Sequence, residues 1–235
     1  MLTTLLFGLA ASSALVMGGV AGAYWSAPKH LIAAALAFAS GALITALAFD
    51  LFQESFNKGG AWLSGIGLLA GAAAFVVADT LLERRIAGAG SGVSAFALLA
   101  GVTLDGIPEN MALGVSLLET SGAGALTLLV AIFASNLPEA LGGAVGMRQQ
   151  GRSKGFTIGV WSATAILLAA AVVVGNAALS GVGEETLSVL LSFAGGAVLA
   201  SLADTLMPDA YREGGPLVAF ATAVGFLLSF LIAEM

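Results

Sequence analysis

Long stretches of apolar residues without charge are the feature that most limits what this chain can fold into. Between Leu31 and Phe49, for example, no Asp, Glu, Lys or Arg occurs. A helix needs about 20 apolar residues to cross the hydrocarbon core of a bilayer, because each residue advances it by about 1.5 Å. Strands of a membrane barrel would alternate apolar and polar residues over about 10 positions, and this run does not. The pattern predicts an all-α membrane protein.

Composition excludes several other classes of protein. Only 9% of the 235 residues are charged and 59% are hydrophobic, whereas soluble domains carry about 25% charged residues. The 8 bases and 14 acids also lack the dense basic patch of a nucleic-acid-binding protein. We therefore expect the lipid bilayer as the environment of the chain and no nucleic acid as a partner.

Eight stretches have the length of a membrane-spanning helix, and together they predict a single transmembrane domain over residues 1–235. The first stretch lacks the basic start of a signal peptide and is long enough to span, so it is predicted as helix 1. The predicted helices, numbered 1 to 8, cover residues 2–24, 31–56, 61–82, 92–118, 123–147, 156–179, 187–208 and 216–234.

Lysine and arginine set the predicted orientation. Seven of the eight lie in loops after odd-numbered helices, and only Lys58 follows an even-numbered one. Short loops that are rich in these residues remain in the cytoplasm. Both termini are therefore predicted to lie outside the cell, in a multi-pass protein of the cell membrane.

Two internal repeats indicate an inverted-repeat architecture. Residues 41–60 are similar to residues 196–215, with matched acidic, aromatic and double-glycine positions, and residues 104–110 are similar to residues 134–140. The members of each pair lie on helices predicted to run in opposite directions. Coincidence in a chain rich in Gly, Ala and Leu is the alternative, which the acidic and aromatic matches disfavour. We predict three helices, a central antiparallel pair and three more helices, with the shared site near the midplane.

Three carboxylates lie in the middle of predicted helices 4 and 5, where a charge in the bilayer is energetically unfavourable. A charged side chain at mid-bilayer costs about 2.5 to 3.5 kcal/mol, and these helices contain no base to offset Asp105, Glu109 and Glu139. Protons, water or a bound cation must offset them instead. Residues four apart share a helical face, so Asp105 lies over Glu109, and Ser135 over Glu139 with Asn136 beside it. This convergence of oxygen atoms favours a cation.

A proline precedes the glutamate in both helices. Because proline lacks the amide hydrogen that would bond the carbonyl four residues earlier, Pro108 and Pro138 are expected to free the carbonyls of Leu104 and Ala134. Unpaired backbone at membrane depth is tolerated only where protein or a water-filled cavity satisfies it. Packing kinks are the alternative, but the glutamate after each proline favours a site.

These motifs resemble those of the ZIP (Zrt/Irt-like) divalent metal transporters, and the chain is similar to a divergent prokaryotic member. The shared features are eight helices with both ends outside, a 3+2+3 inverted repeat, the paired Pro-Glu motifs, and a Gly-rich stretch ending in Pro208-Asp209-Ala210. The resemblance implies transport of a divalent metal ion across a bacterial inner membrane. It also implies that there is no organic cofactor and that a homodimer is the expected assembly.

The resemblance further implies which residues hold the metal. Glu109 and Glu139 would bridge two metal positions, with Asp105 and Ser135 at one and Asn136 at the other. A glycine stands where the family offers a further ligand at the second position. We therefore expect a single ion.

The donor atoms bear on which ion is carried. The expected ligands offer oxygen atoms, and the chain has no cysteine. Oxygen suits harder ions such as Mn²⁺ better than zinc, which prefers imidazole or thiolate, whereas the family favours zinc. The predicted cargo is Zn²⁺ or a related ion such as Mn²⁺ or Fe²⁺.

Four further acids outline a path for ions. Asp50 and Glu54 share a face toward the outer end of predicted helix 2, and Asp204 and Asp209 lie toward the inner end of predicted helix 7. Glu54 and Asp209 are equally well explained as solvated residues at helix ends. Asp50 and Asp204 lie deeper, which favours a role in the path.

Other functions fit the sequence less well. The aspartyl, serine and zinc motifs of intramembrane proteases are absent from the sequence, so the chain is predicted not to be an enzyme. A proton-coupled secondary transporter of a non-metal solute would use the same three carboxylates as proton sites and stays open. A purely structural membrane protein would leave the paired Pro-Glu motifs unexplained.

Overall fold

The computed structural model describes residues 1–87, 94–118 and 123–234, and within these ranges it contains helices and no strands. The first two residues of predicted helix 92–118 lie outside the described residues, as does Met235. The α-helices are α1 (Leu2–Tyr24), α2 (Lys29–Ala46), α3 (Gln53–Ala87), α4 (Ser94–Ser116), α5 (Ala123–Gln149), α6 (Lys154–Leu179), α7 (Glu184–Ser201), α8 (Met207–Gly214) and α9 (Val218–Ala233). A π-helical segment joins α2 to α3 (Leu47–Phe52) and another joins α7 to α8 (Leu202–Leu206), while a 3-10 turn (Gly215–Leu217) precedes α9.

The surface is that of a membrane-embedded protein. Large apolar side chains are widely exposed, with Leu217 at 85%, Trp62 at 79% and Phe220 at 76%. Apolar surface in water costs about 25 cal/mol per Å², a cost that lipid removes. Within the described ranges, five helical stretches are long and apolar enough to cross a membrane: Leu2–Tyr24, Lys29–Arg85, Gly124–Gln149, Lys154–Leu179 and Glu184–Ala233.

Two of these stretches are much longer than a single crossing, at 57 and 50 residues. Each is interrupted by a glycine with positive φ: Gly60 has φ 70° and ψ −179°, and Gly215 has φ 67° and ψ −161°. Side chains disfavour this backbone conformation, which glycine adopts at no steric cost. Gly60 lies between predicted helices 2 and 3, and Gly215 between predicted helices 7 and 8, so both helix breaks fall where the sequence predicts loops.

Segments 41–60 and 196–215 share these irregularities. Each contains a π-helical segment at the same position of the alignment, and each ends in the glycine that breaks the helix. A π-helical segment is rare and is frequently found at functional sites. Because the two π-helical segments lie at matched positions, segments 41–60 and 196–215 have the same sequence of helix types.

Close helix contacts repeat in the same way. A Cβ atom on Gly41 would lie 1.9 Å from the carbonyl oxygen of Thr222 on α9, and one on Gly196 would lie 1.9 Å from that of Leu68 on α3. Neither position has room for a side chain, so α2 meets α9, and α7 meets α3, backbone to backbone. The partner helices also contribute glycines to these contacts. A Cβ atom on Gly225 of α9 would clash with the Phe38 carbonyl of α2, and one on Gly71 of α3 would clash with the Phe193 carbonyl of α7.

The central helices α4 and α5 are enclosed by α1, α2, α6 and α7. The largest buried apolar cluster joins them to their neighbours and includes Leu43, Leu113, Ile132 and Leu202. On α1, Gly18 and Gly22 approach the α5 carbonyls of Leu137 and Leu141. The Pro-Glu segments of α4 and α5 are therefore held in the interior by close packing.

Not every small-residue pair packs as its spacing suggests. Gly18/Gly22 and Gly67/Gly71 pack against α5 and α7 respectively, as expected of glycines four apart. The same spacing at Gly155/Gly159 also predicts a close helix contact, and this is wrong within the chain because nothing lies within 4 Å of a Cβ at either position. These two residues lie on an open face of α6.

Several helices begin earlier than predicted. α6 begins at Lys154 rather than at 156, because the Ser153 side chain caps it by accepting a hydrogen bond of 3.1 Å from the Phe156 amide. α7 begins at 184 rather than at 187, since Glu184 and Glu185 in its first turn complement the positive end of the helix dipole. Both differences lie at helix ends and leave the interior segments unchanged.

Candidate functional site

A cavity of about 660 Å³ connects the interior of the molecule with one end of it. Its deep part is lined by Asp105 of α4, Glu139 of α5 and Thr205 of the second π-helical segment. Its walls are mostly small and apolar, such as Val102 and Gly142. At its other end it is lined by polar and charged residues: Ser26, Lys29, Gln149, Asp209, Arg212 and Glu213.

Asp105 is buried, with the side chains of Ser201 and Thr205 as its polar neighbours. It is 9% exposed, and its Oδ2 accepts a long hydrogen bond of 3.5 Å from the Thr205 hydroxyl. That hydroxyl also lies 2.8 Å from the Ser201 carbonyl oxygen, and it has a single hydrogen to donate. The Oδ1 atom of Asp105 is buried with no hydrogen-bond partner. Asp105 therefore has unused acceptor capacity at the deep end of the cavity.

The two motif glutamates lie near Asp105. Glu109 is 7% exposed, Glu139 is half-buried in the cavity wall, and the charges of all three carboxylates lie close enough to interact. The ion pairs that the structure describes are formed by other residues, at the ends of the helices. Within the described ranges, the three acids thus share one region with no base paired to them.

Amide side chains beside the glutamates also have unused polar atoms. Asn110 is fully buried, and its Nδ2 donates a 2.8 Å hydrogen bond to the Gly106 carbonyl while its Oδ1 has no partner. Asn136 is 2% exposed and its Nδ2 has no partner. A buried polar group without a partner costs about 1 to 3 kcal/mol. Both Pro-Glu segments therefore contain polar atoms that a ligand or water would stabilise.

Ser135 is engaged locally. It is 1% exposed, and its hydroxyl donates a 3.0 Å hydrogen bond to the Ile132 carbonyl one turn earlier. A hydroxyl that donates in this way keeps its lone pairs for accepting a hydrogen bond or coordinating an ion. Its contact with its own helix fixes the direction in which those lone pairs can act.

Convergence of the carboxylates on a single point is incomplete. In the part of the chain that the structure describes, no group of three or more His, Cys, Asp or Glu side chains is close enough to hold a metal ion as it stands. Asp105, Glu109 and Glu139 share a region rather than a formed coordination sphere. A common ion would require these side chains to rotate toward one another.

The four acids of the predicted path occupy different surroundings. Asp50 is half-buried in the first π-helical segment beside Gly124, and its Oδ2 has no partner. Glu54 forms an ion pair of 3.1 Å with Lys58. Asp204 is exposed, and Asp209, also exposed, pairs with Arg212 at 2.8 Å. Of the four, Asp209 lines the cavity.

Three residues near the site were not predicted from sequence. Thr205 reaches Asp105, Asn110 has an unpaired oxygen, and Asp79 of α3 lies within hydrogen-bonding reach of Asp204 and close enough to Asp105 for their charges to interact. The repeat contained a signal for Thr205, which aligns with Asp50, so both copies have a polar residue in the π-helical segment. Asp79 had no such signal, because the contact depends on how α3 packs.

No family model matches this chain, and no curated protein matches its sequence.

Proposed function

We propose that this protein transports divalent metal cations across a membrane through a carboxylate site on α4 and α5, with Zn²⁺ or a related ion such as Mn²⁺ or Fe²⁺ as its cargo. The observation that carries the proposal is Asp105, a buried carboxylate with an unpaired oxygen at the deep end of a cavity. Glu109 and Glu139 lie near it, and none of the three has a basic partner among the described residues. A divalent cation would offset this charge.

A cation also accounts for the neutral polar atoms of the site. Protons on the three carboxylates would remove their charge and would supply O–H donors in its place. An ion that is coordinated by oxygen atoms uses carboxylate, amide and hydroxyl groups together. Asn136 would coordinate the ion through its side-chain oxygen after a rotation that exchanges the oxygen and nitrogen of its amide. Ser135 would coordinate it through the lone pairs of its hydroxyl.

The architecture that we propose is eight membrane spans in a 3+2+3 inverted repeat, as in ZIP transporters. The matched π-helical segments and the matched glycine contacts of α2 with α9 and of α7 with α3 support it. Inverted repeats place their transport site near the midplane, between the repeats. In this arrangement the 660 Å³ cavity opens toward the cytoplasm, where most bases lie, so the cavity is the inward path of the ion.

Labelling of the chain termini tests the topology. A single cysteine introduced near Met1 or near Glu234 should react with a membrane-impermeant maleimide added to intact cells, because the distribution of bases predicts both ends outside. A cysteine in place of Gln150, in the loop between α5 and α6, should react only after the cells are opened. Labelling of Gln150→Cys but of neither terminal cysteine in intact cells would contradict the eight-span topology.

Replacement of two oxygen ligands by imidazole tests the site and its selectivity. We expect Asp105→His combined with Ser135→His to raise the affinity for Zn²⁺ relative to Mn²⁺, because imidazole favours zinc over harder ions. Loss of the Asp105 charge weakens the attraction for every divalent ion, so the ratio of the two affinities is the quantity to measure. Competition titrations on the wild type and the double variant would give it.

A matched control is Ser180→His with Glu234→His, which replaces one hydroxyl and one carboxylate by imidazole at exposed residues after the ends of α6 and α9. The control should leave the Zn²⁺/Mn²⁺ ratio of the central site as it is in the wild type. An unchanged ratio in Asp105→His with Ser135→His would mean that these two side chains do not contact the ion.

A proton-coupled secondary transporter of a non-metal solute is the second candidate. The apolar wall of the cavity favours it, since such a wall suits an organic solute better than a hydrated ion. The two candidates differ in metal binding. Stoichiometric binding of Zn²⁺ or Mn²⁺ by the purified protein supports the first, and proton-coupled uptake of a solute without metal binding supports the second.

A further inference from the structure

A second cleft, of about 280 Å³, lies where α1 ends, α5 ends and α6 begins. Two bases line it, Arg148 near the end of α5 and Lys154 at the start of α6, together with the aromatic residues Tyr24 and Trp25. The remaining lining residues are small, apolar or uncharged, and none of the residues that line the cleft is an acid. The cleft is therefore a positively charged recess at one end of the helices.

No carboxylate neutralises these bases in the part of the chain that the structure describes. The Arg148 guanidinium donates a hydrogen bond to the carbonyl of Arg152, which lies in the connection between α5 and α6. Lys154 Nζ lies 4.2 Å from the centroid of the Tyr24 ring, a contact that leaves its charge in place. Lys154 lies in the first turn of α6, and the positive end of the helix dipole there adds to the positive potential. An anion in the cleft would be stabilised by both bases and by this helix end.

The position of the cleft indicates where that anion comes from. Tyr24 and Trp25 are 68% and 50% exposed, and such residues accumulate at the boundary between lipid and water. Helix ends form the cleft, as expected at that boundary, and most bases of the chain lie at the same end. Basic pockets between membrane helices on the cytoplasmic side bind anionic lipid headgroups.

We propose that this cleft binds the phosphate of an anionic membrane phospholipid. Arg148 offers a planar fork of donors that matches two phosphate oxygens, and Lys154 adds a point charge. Tyr24 and Trp25 lie against the glycerol and the upper acyl chains. Ser26, Val145 and Gln149 line both this cleft and the 660 Å³ cavity, so the bound lipid lies beside the mouth of the cavity. The lipid site is independent of which solute the cavity carries.

Binding of short-chain lipids to the full-length protein in a non-ionic detergent tests the proposal. The probes are dihexanoyl phosphatidylglycerol, dihexanoyl phosphatidylcholine and inorganic phosphate, and Kd is measured by native mass spectrometry below the micellar concentration of the lipid. Each base near a membrane surface strengthens binding of an anionic lipid by about fivefold. We expect Arg148→Gln with Lys154→Gln to weaken phosphatidylglycerol binding by roughly 30-fold.

The matched control is Arg84→Gln with Arg85→Gln, which removes the same charge from exposed bases at the end of α3 and should leave the Kd unchanged. Should the first variant fail to fold, Lys154→Glu reverses the charge at an exposed position and should weaken binding at least as much. An equal affinity for phosphatidylcholine, or an equal loss in the control variant, would overturn the proposal. Inorganic phosphate that binds as tightly as phosphatidylglycerol would overturn the assignment to lipid.

Discussion

Glu109→Gln and Glu139→Gln should each reduce metal uptake to the level of protein-free vesicles. Each change keeps the size of the side chain and removes one of the charges that would hold the ion in a poorly solvated site. If both glutamates bind one ion, the uptake rate of the double variant should be no lower than that of either single variant. The measurement is the initial rate of ion uptake into proteoliposomes with equal amounts of folded protein.

Glu184→Gln is the matched control for this experiment. It makes the same substitution at an exposed residue in the first turn of α7, outside the site, and should leave the rate unchanged. Near-normal uptake by either Glu109→Gln or Glu139→Gln would show that the two carboxylates do not share an ion.

Gly71→Ala should strongly destabilise the protein. The added Cβ would lie 1.9 Å from the Phe193 carbonyl oxygen, which belongs to backbone and cannot turn aside, so α3 and α7 must separate. Overpacking of this kind costs about 1 to 3 kcal/mol and occasionally more. Gly225→Ala, which brings its Cβ equally close to the Phe38 carbonyl oxygen, should lower the stability to a similar extent. Thermal unfolding in detergent measures both effects.

Gly65→Ala isolates the clash from the intrinsic effect of the substitution. Gly65 lies on α3 with nothing within 4 Å of its Cβ position. Alanine favours a helix over glycine by up to about 1 kcal/mol, so this variant should be at least as stable as the wild type. A Tm of Gly71→Ala equal to that of Gly65→Ala would contradict the backbone-to-backbone contact of α3 with α7.

Much of the fold could be predicted because lipid imposes a simple rule on length and polarity. The bounds of α1 match residues 2–24, and glycine spacing identified the close contacts at Gly18/Gly22 and Gly67/Gly71. Spacing was not sufficient at Gly155/Gly159, because small residues permit a close approach but do not supply the partner helix. The π-helical segments were not predicted, since a change from i+4 to i+5 bonding has no distinct composition.

The candidate site was predictable only in part. Charge in an apolar helix identified Asp105, Glu109 and Glu139, and the structure places them in one region. The Thr205 hydrogen bond to Asp105 and the approach of Asp79 to Asp204 depend on the rotation and tilt of helices that are far apart in sequence. The same helix tilts determine at which end of the molecule the cavity opens. No local sequence pattern could therefore indicate the direction of the opening.

Ion flux into proteoliposomes that contain the wild-type protein tests the central proposal most directly. Vesicles loaded with a metal-sensitive dye would receive Zn²⁺, Mn²⁺, Fe²⁺ or Mg²⁺ outside, alone and in competition, with protein-free vesicles as the reference. We predict saturable uptake of at least one of the first three ions, inhibited by the other two. Metal flux no greater than in protein-free vesicles, in a preparation shown to be folded, would contradict the proposal that this chain transports divalent cations.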